Sequence, residues 1–182
     1  MTSDHGVDTV ARAQPRSVEL IGWTDLTGTK AGRYSRAFFA YCKAIKGSGA
    51  APDVTAFDVT GVARREPSIV RHLWLLDVHA DSGRFQYRLI GTALEDAGCL
   101  ARVGDFVDQF DDTGHFASQL ATVVERVVPR FYFGPPLLAH DSRMYGLELV
   151  QVPLVDGGGA VRRIVSCTTY HWRPGYKPQD RL

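Results

Sequence analysis

Residues 71–91, RHLWLLDVHADSGRFQYRLIG, carry the reading that decides the fold. The run 71–79 is rich in strand formers, and Leu73, Trp74, Leu75 and Leu76 make it apolar on both faces. A strand of that kind needs a cover on each side. Ala80-Asp81-Ser82-Gly83 is a turn cluster, and 84–91 then alternates. Phe85, Tyr87 and Leu89 fall on one face and Gln86 and Arg88 on the other. The whole reads as a β-hairpin whose first strand lies inside a layered core.

Upstream, 30–46 (KAGRYSRAFFAYCKAIK) places Tyr34, Phe38, Tyr41 and Ile45 on one stripe of a helix. Gly47-Ser48-Gly49 ends it. The stripe covers either a face of its own sheet or the same helix in a second chain. Residues 50–70 read as turns or a short helix around Phe57, Val59 and Val62, closed by Pro67. Downstream, 92–112 read as short helices and loops broken by Gly98 and Gly104. Asp111-Asp112-Thr113 then offers capping groups to a helix over 113–128, striped by Phe116, Leu120, Val123 and Val127 and stopped at Val128-Pro129. A strand within 130–140, interrupted at Gly134-Pro135-Pro136, leads to strands 144–154 and 161–172. Asp156-Gly157-Gly158-Gly159 turns between those two. In 144–154, Tyr145, Leu147 and Leu149 fall on one face. The fold class is therefore α+β: a hairpin, a helix, then a three-stranded meander, closing as a five-stranded antiparallel sheet over one helix.

The 182 residues suit one domain with tails. Residues 1–27 read as a flexible tail, 28–172 as the domain and 173–182 as a second tail. A net charge of +1 offers no electrostatic footprint for nucleic acid or an anionic membrane. The densest apolar stretch, Leu73–Leu76, is far short of a membrane span, and the N-terminus lacks a secretory core. Cys42, Cys99 and Cys167 are odd in number and widely spaced, which suggests reduced thiols and a cytoplasmic protein.

Chemistry-bearing motifs are sparse. Gly157-Gly158-Gly159 sits between strands and lacks a following Lys-Ser or Lys-Thr, so it is a turn and not a phosphate loop. No GxSxG, HExxH or kinase pattern occurs. His72 and His79 lie an odd number apart on one strand and point to opposite faces, so no metal site is expected. His115 opens the 113–128 helix, and its bland reading is a polar first-turn residue. Cys99 and Cys167 read as small buried hydrophobes.

This element order resembles that of PAS domains. The residues that carry the resemblance are RAFFAYCKAIKGSGAAPDVTAFDV, HLWLLDVHADSGRFQYRLIGT and GLELVQVPLVDGGGAVRRIVS. Most specific is Leu75-Leu76-Asp77-Val78, a Gly turn, then Phe85-x-Tyr87-Arg88-Leu89-x-Gly91-Thr92. Together they are similar to a subgroup of short stand-alone PAS proteins of proteobacteria, over residues 30–170. The chain departs from that subgroup at Gly98–Gly104, which is one residue longer, more apolar, and lacks the usual Asp and Thr.

The resemblance implies a long helix on the concave side of the sheet and an N-terminal covering helix. It implies a non-catalytic sensory or regulatory module that binds a small ligand, a signalling partner or a second copy of itself. The candidate ligand-pocket residues are Phe85, Tyr87, Leu89, Phe106, Phe116, Leu120, Tyr145, Leu147 and Thr168, against the bland alternative of a filled core. The candidate interaction helix carries Tyr34, Phe38, Tyr41 and Ile45. With no output segment attached, the expected output is through association. PAS relatives that hold haem use a His on the long helix, which singles out His115. Those that hold flavin for photosensing use a cysteine in a context absent around Cys99. No cofactor is named by the sequence. The alternative function is a curved-sheet enzyme of ketosteroid-isomerase-like type, with a carboxylate or phenol in an apolar pocket. The element order argues against it, since that group places its main helices before the sheet.

Overall fold

The computed structural model describes residues 19–24, 26–135 and 144–174. Leu73–His79 (β2) and Arg84–Ile90 (β3) form the expected hairpin. Arg130–Gly134 (β4), Met144–Val155 (β5) and Val161–Trp172 (β6) form the expected meander. A two-residue strand, Glu19–Leu20 (β1), pairs with β4. All pairings between strands are antiparallel, and the order is β1-β4-β5-β6-β2-β3. The expected antiparallel sheet of five long strands is thus present, with β1 added at its edge. β2 pairs with β6 as well as β3, so the first and last long strands lie side by side at the centre.

Among the described residues four α-helices accompany the sheet: Arg33–Lys46 (α1), Val59–Arg65 (α2), Thr92–Asp96 (α3) and His115–Arg126 (α4). β2 is apolar on both faces because each face has its own core. Leu73 and Leu75 join Phe38, Phe39, Tyr41, Val150, Val152, Val165 and Cys167 in the α1 cluster. Trp74 and Leu76 join Phe116, Leu120, Val123, Tyr87, Tyr132, Leu149 and Ile164 in the α4 cluster. The alternation of β2, β5 and β6 assigns successive residues to the two cores.

The candidate interaction stripe is corrected here. Phe38 and Tyr41 are buried against the chain's own sheet, and Tyr34 and Ile45 pack at the margin of the same cluster. The Tyr41 hydroxyl also donates to the Asp58 carbonyl, at the start of α2. An amphipathic stripe has one apolar face to spend, and this one is spent within the chain.

The folded unit also starts earlier than residue 28, since β1 is paired and Leu26 is buried in the α1 cluster. Residues 1–18 and 175–182 of the expected tails, and the strand expected past Pro135 up to His140, lie outside the described residues.

Local chemistry fixes the joins. Asp58 caps α2 through the amides of Thr60 and Gly61. The capping groups expected before α4 act from further back: Asp111 Oδ2 accepts from the Ala117 amide, while Thr113 Oγ1 accepts from the His115 amide. Val127 ends α4 at φ 52°, the left-handed region that a β-branched residue enters only under strain. Arg130 follows three residues later. At Gly91 a Cβ would lie 2.3 Å from the Arg71 carbonyl oxygen, so the chain after β3 passes β2 at glycine distance.

Candidate ligand site

The sheet register sets one polar residue from each of three strands in a row on the α4 face. Arg130 of β4 faces Gln151 of β5, Gln151 faces Ser166 of β6, and Ser166 faces Trp74 of β2. At about 4.8 Å between strands, the row spans roughly 10 Å. Arg130 is 1% exposed, and Gln151 and Ser166 are fully buried.

The hydrogen bonding of this row is incomplete. Arg130 Nη1 donates to Gln151 Oε1 at 2.5 Å, and Nη2 donates to Gln119 Oε1 of α4. Guanidinium has donors only, so both glutamine oxygens must turn to it and both amide NH2 groups must turn away. The Gln119 amide reaches His115 Nε2 at 2.7 Å. The Gln151 amide nitrogen, Arg130 Nε and Ser166 Oγ are buried without a partner. Every one of those atoms carries a hydrogen to donate. The row is therefore short of acceptors. A buried polar group left unpaired costs about 1–3 kcal/mol.

Charge is unbalanced in the same place. Among the described residues no carboxylate is bonded to Arg130; its two partners are neutral amides. Burial pulls the guanidinium down to about 10, with Tyr132 opposing that pull weakly. The opposite face handles its buried charge differently. Both oxygens of Glu148 accept from the Gly32 amide, at 2.9 and 3.0 Å, where α1 begins. A carboxylate at a helix N-terminus has the dipole and a donor to satisfy it. Glu148 is thus a structural cap, whereas Arg130 has no equivalent.

Of the expected pocket residues, Phe85, Tyr87, Phe116, Leu120 and Leu147 come together in the α4 cluster. Thr168 joins them there by accepting from Trp74 Nε1 at 2.8 Å. Burial pushes the phenols of Tyr87 and Tyr170 well above their ordinary range, and the Cys99 thiol up as well.

Leu89, Tyr145 and Phe106 are corrections. The β2–β3 register shifts between Leu75 and Leu76, so Leu76 pairs with Tyr87 and Leu75 with Leu89. That bulge turns Leu89 to the α1 side. A second irregularity between Met144 and Gly146 leaves Tyr145 exposed beside His171. Phe106 packs outside both cores, with the His79 ring at 5.4 Å and the Arg84 guanidinium 3.7 Å above it.

His115 is exposed at the first turn of α4, bonded to Gln119 and outside the apolar cluster. Cys42 and Cys167 are fully buried in the α1 cluster, and their thiols are pushed up by burial. Among the described residues no three His, Cys, Asp or Glu side chains group to hold a metal ion. None of the described helices is long and apolar enough to cross a membrane.

Sequence reasoning missed Arg130, Gln151 and Ser166. A signal was present: Gln151 interrupts the apolar run LVQVPL, and Arg130 opens RFYF. Comparison of the chain with family models, with curated proteins and with solved structures finds no match in any of them.

Proposed function

We propose that this protein is a non-catalytic PAS-type sensory module that takes a small ligand between its sheet and α4. The observation that carries the reading is the buried row Arg130–Gln151–Ser166, which holds unpartnered donors beside the helix where a sensor of this kind receives its ligand. Groups left unsatisfied in a well-packed interior mark a place where function outweighs stability.

Two features support the PAS-like architecture. Numbered in chain order, the five long strands run 2-1-5-4-3 across the sheet. The long segment between hairpin and meander delivers α4 to one face, while α1 covers the other. In this reading α4 occupies the concave side and α1 is the N-terminal cover. The protein works in a bacterial cytoplasm and passes its signal to a partner protein or a second copy. Since the α1 stripe is spent internally, that contact uses another surface.

Native mass spectrometry of freshly purified full-length protein tests the proposal, with an absorption spectrum taken alongside. A folded chain carrying added non-covalent mass is the expected result. A bare chain whose urea midpoint no member of a metabolite library raises would overturn it.

A further inference from the structure

We propose that the ligand is a monocarboxylate on a small apolar body, held by the Nε–Nη2 edge of Arg130. The inference rests on the sensor reading above and specifies its ligand.

The free atoms of the row are Arg130 Nε, Gln151 Nε2 and Ser166 Oγ, and all can donate. A ligand that completes them must bring acceptors. Among the described residues the row's cation is paired only with neutral amides. A ligand that completes the charge must be an anion. A single guanidinium balances one negative charge, so a monoanion fits and a phosphate dianion does not. The rest of this face is apolar, with Leu120, Leu149, Tyr132, Phe116 and Trp74 in the same buried cluster. They suit an aliphatic or aromatic body.

Geometry selects the edge. Carboxylates take guanidinium groups through two parallel N–H bonds. The chain shows that arrangement at its surface, where Arg84 Nε and Nη2 hold the two oxygens of Asp108 at 2.8 and 3.0 Å. The corresponding edge of Arg130 has Nε free and Nη2 held by Gln119 of α4. An arriving carboxylate takes Nε directly and displaces the Gln119 oxygen from Nη2. Nη1 keeps its bond to Gln151. Because Arg130 is closed from solvent, entry requires α4 to move, and loss of the Gln119 bond loosens it there. Binding and the release of α4 are thereby one event.

The test uses full-length protein stripped of any co-purified ligand, titrated calorimetrically with hexanoate, benzoate, hexanamide, benzamide and inorganic phosphate. Trp74, next to Ser166 in register, gives a fluorescence readout. The acids should bind and the isosteric amides and phosphate should not. Arg130→Met should weaken acid binding by about a hundredfold, the loss expected when one side of a buried charge pair is removed. Gln119→Ala removes the competing acceptor and should tighten it by roughly threefold, the worth of one hydrogen bond. Circular dichroism confirms that each variant is folded. Should Arg130→Met not fold, Gln119→Ala alone decides, because a merely structural Gln119 would not improve affinity. Amides binding as well as acids, or phosphate binding as well as either, overturns the carboxylate assignment and leaves the sensor reading standing. No binding of any probe by the wild-type protein overturns the assignment; a bare chain in the native spectrum whose urea midpoint no library metabolite raises overturns the sensor reading separately.

Discussion

Replacing Arg130 and Gln151 together with methionine should make the protein more stable. Burial lowers the guanidinium from its ordinary value to about 10. At roughly 1.4 kcal/mol per pH unit, the charged form opposes folding by about 3 kcal/mol. Folding depresses the pKa of a base, so the penalty is complete at every pH below about 10 and fades only above it. An assay at pH 7.5 therefore meets all of it. The double variant also removes the unpartnered Gln151 amide, a gain of about 1 kcal/mol. Against this stand the two bonds from Arg130 to Gln151 and Gln119, worth about 1 kcal/mol each. The net is about 2 kcal/mol in favour of the variant, or roughly 5 °C in Tm for a domain of this size. Arg130→Met alone leaves Gln151 buried with less bonding, and its gain should nearly vanish. Urea unfolding followed by circular dichroism at pH 7.5 measures both. A double variant that loses 2 kcal/mol or more would show the row to be an ordinary stabilising network, and the ligand argument would fall with it.

Phe38→Ala should lower stability by about 4 kcal/mol, since it empties a fully buried site under α1; an unchanged urea midpoint with altered light scattering would return the stripe to an intermolecular role. Gly91→Ala should cost about 3 kcal/mol, because the new Cβ meets the backbone oxygens of Arg71 and Leu73 and neither strand end can yield; a fully stable variant would contradict that packing. His72 is held below its ordinary pKa, chiefly by burial and further by Arg71, with the Thr168 carbonyl opposing and the Tyr34 ring stacked on it. The unfolded chain therefore binds the proton first, and stability should fall as pH drops through about 6.5; His72→Phe should flatten that slope between pH 7.5 and 5.5, and an unchanged slope would refute the assignment.

The elements were legible because each carries a local signature. The apolarity of β2 on both faces announced two covers, while the α1 stripe left open whether its own sheet or a second chain would take it. Alternation failed where the chain inserts one residue. Phe85, Tyr87 and Leu89 share a face only if β3 is regular, and the bulge opposite Leu75–Leu76 sends Leu89 to the other core. Tyr145 left the Leu147 face by the same mechanism at the start of β5. A bulge costs little and leaves no compositional trace in RFQYRLI or MYGLE, so period-two reading passes over it. Phe106 was placed by its hydrophobicity, yet the edge bridge between Phe106 and Gln86 and the cation of Arg84 give it a partner outside the core.

The polar row was hidden for a different reason. Arg130, Gln151 and Ser166 come from three strands and meet only through inter-strand register, which no local pattern encodes. What the sequence does show is that β5 carries two large polar residues, Glu148 and Gln151, in an otherwise apolar strand. Being three apart, they point to opposite faces, one into each core. The two faces then diverge by what meets each group. Glu148 meets the Gly32 amide at the start of α1, and its charge is answered by backbone. Gln151 meets a cation that backbone donors cannot answer. Among the described residues nothing supplies that cation with an anion, and in the proposed reading a ligand does so, displacing the Gln119 oxygen that holds Arg130 in the meantime.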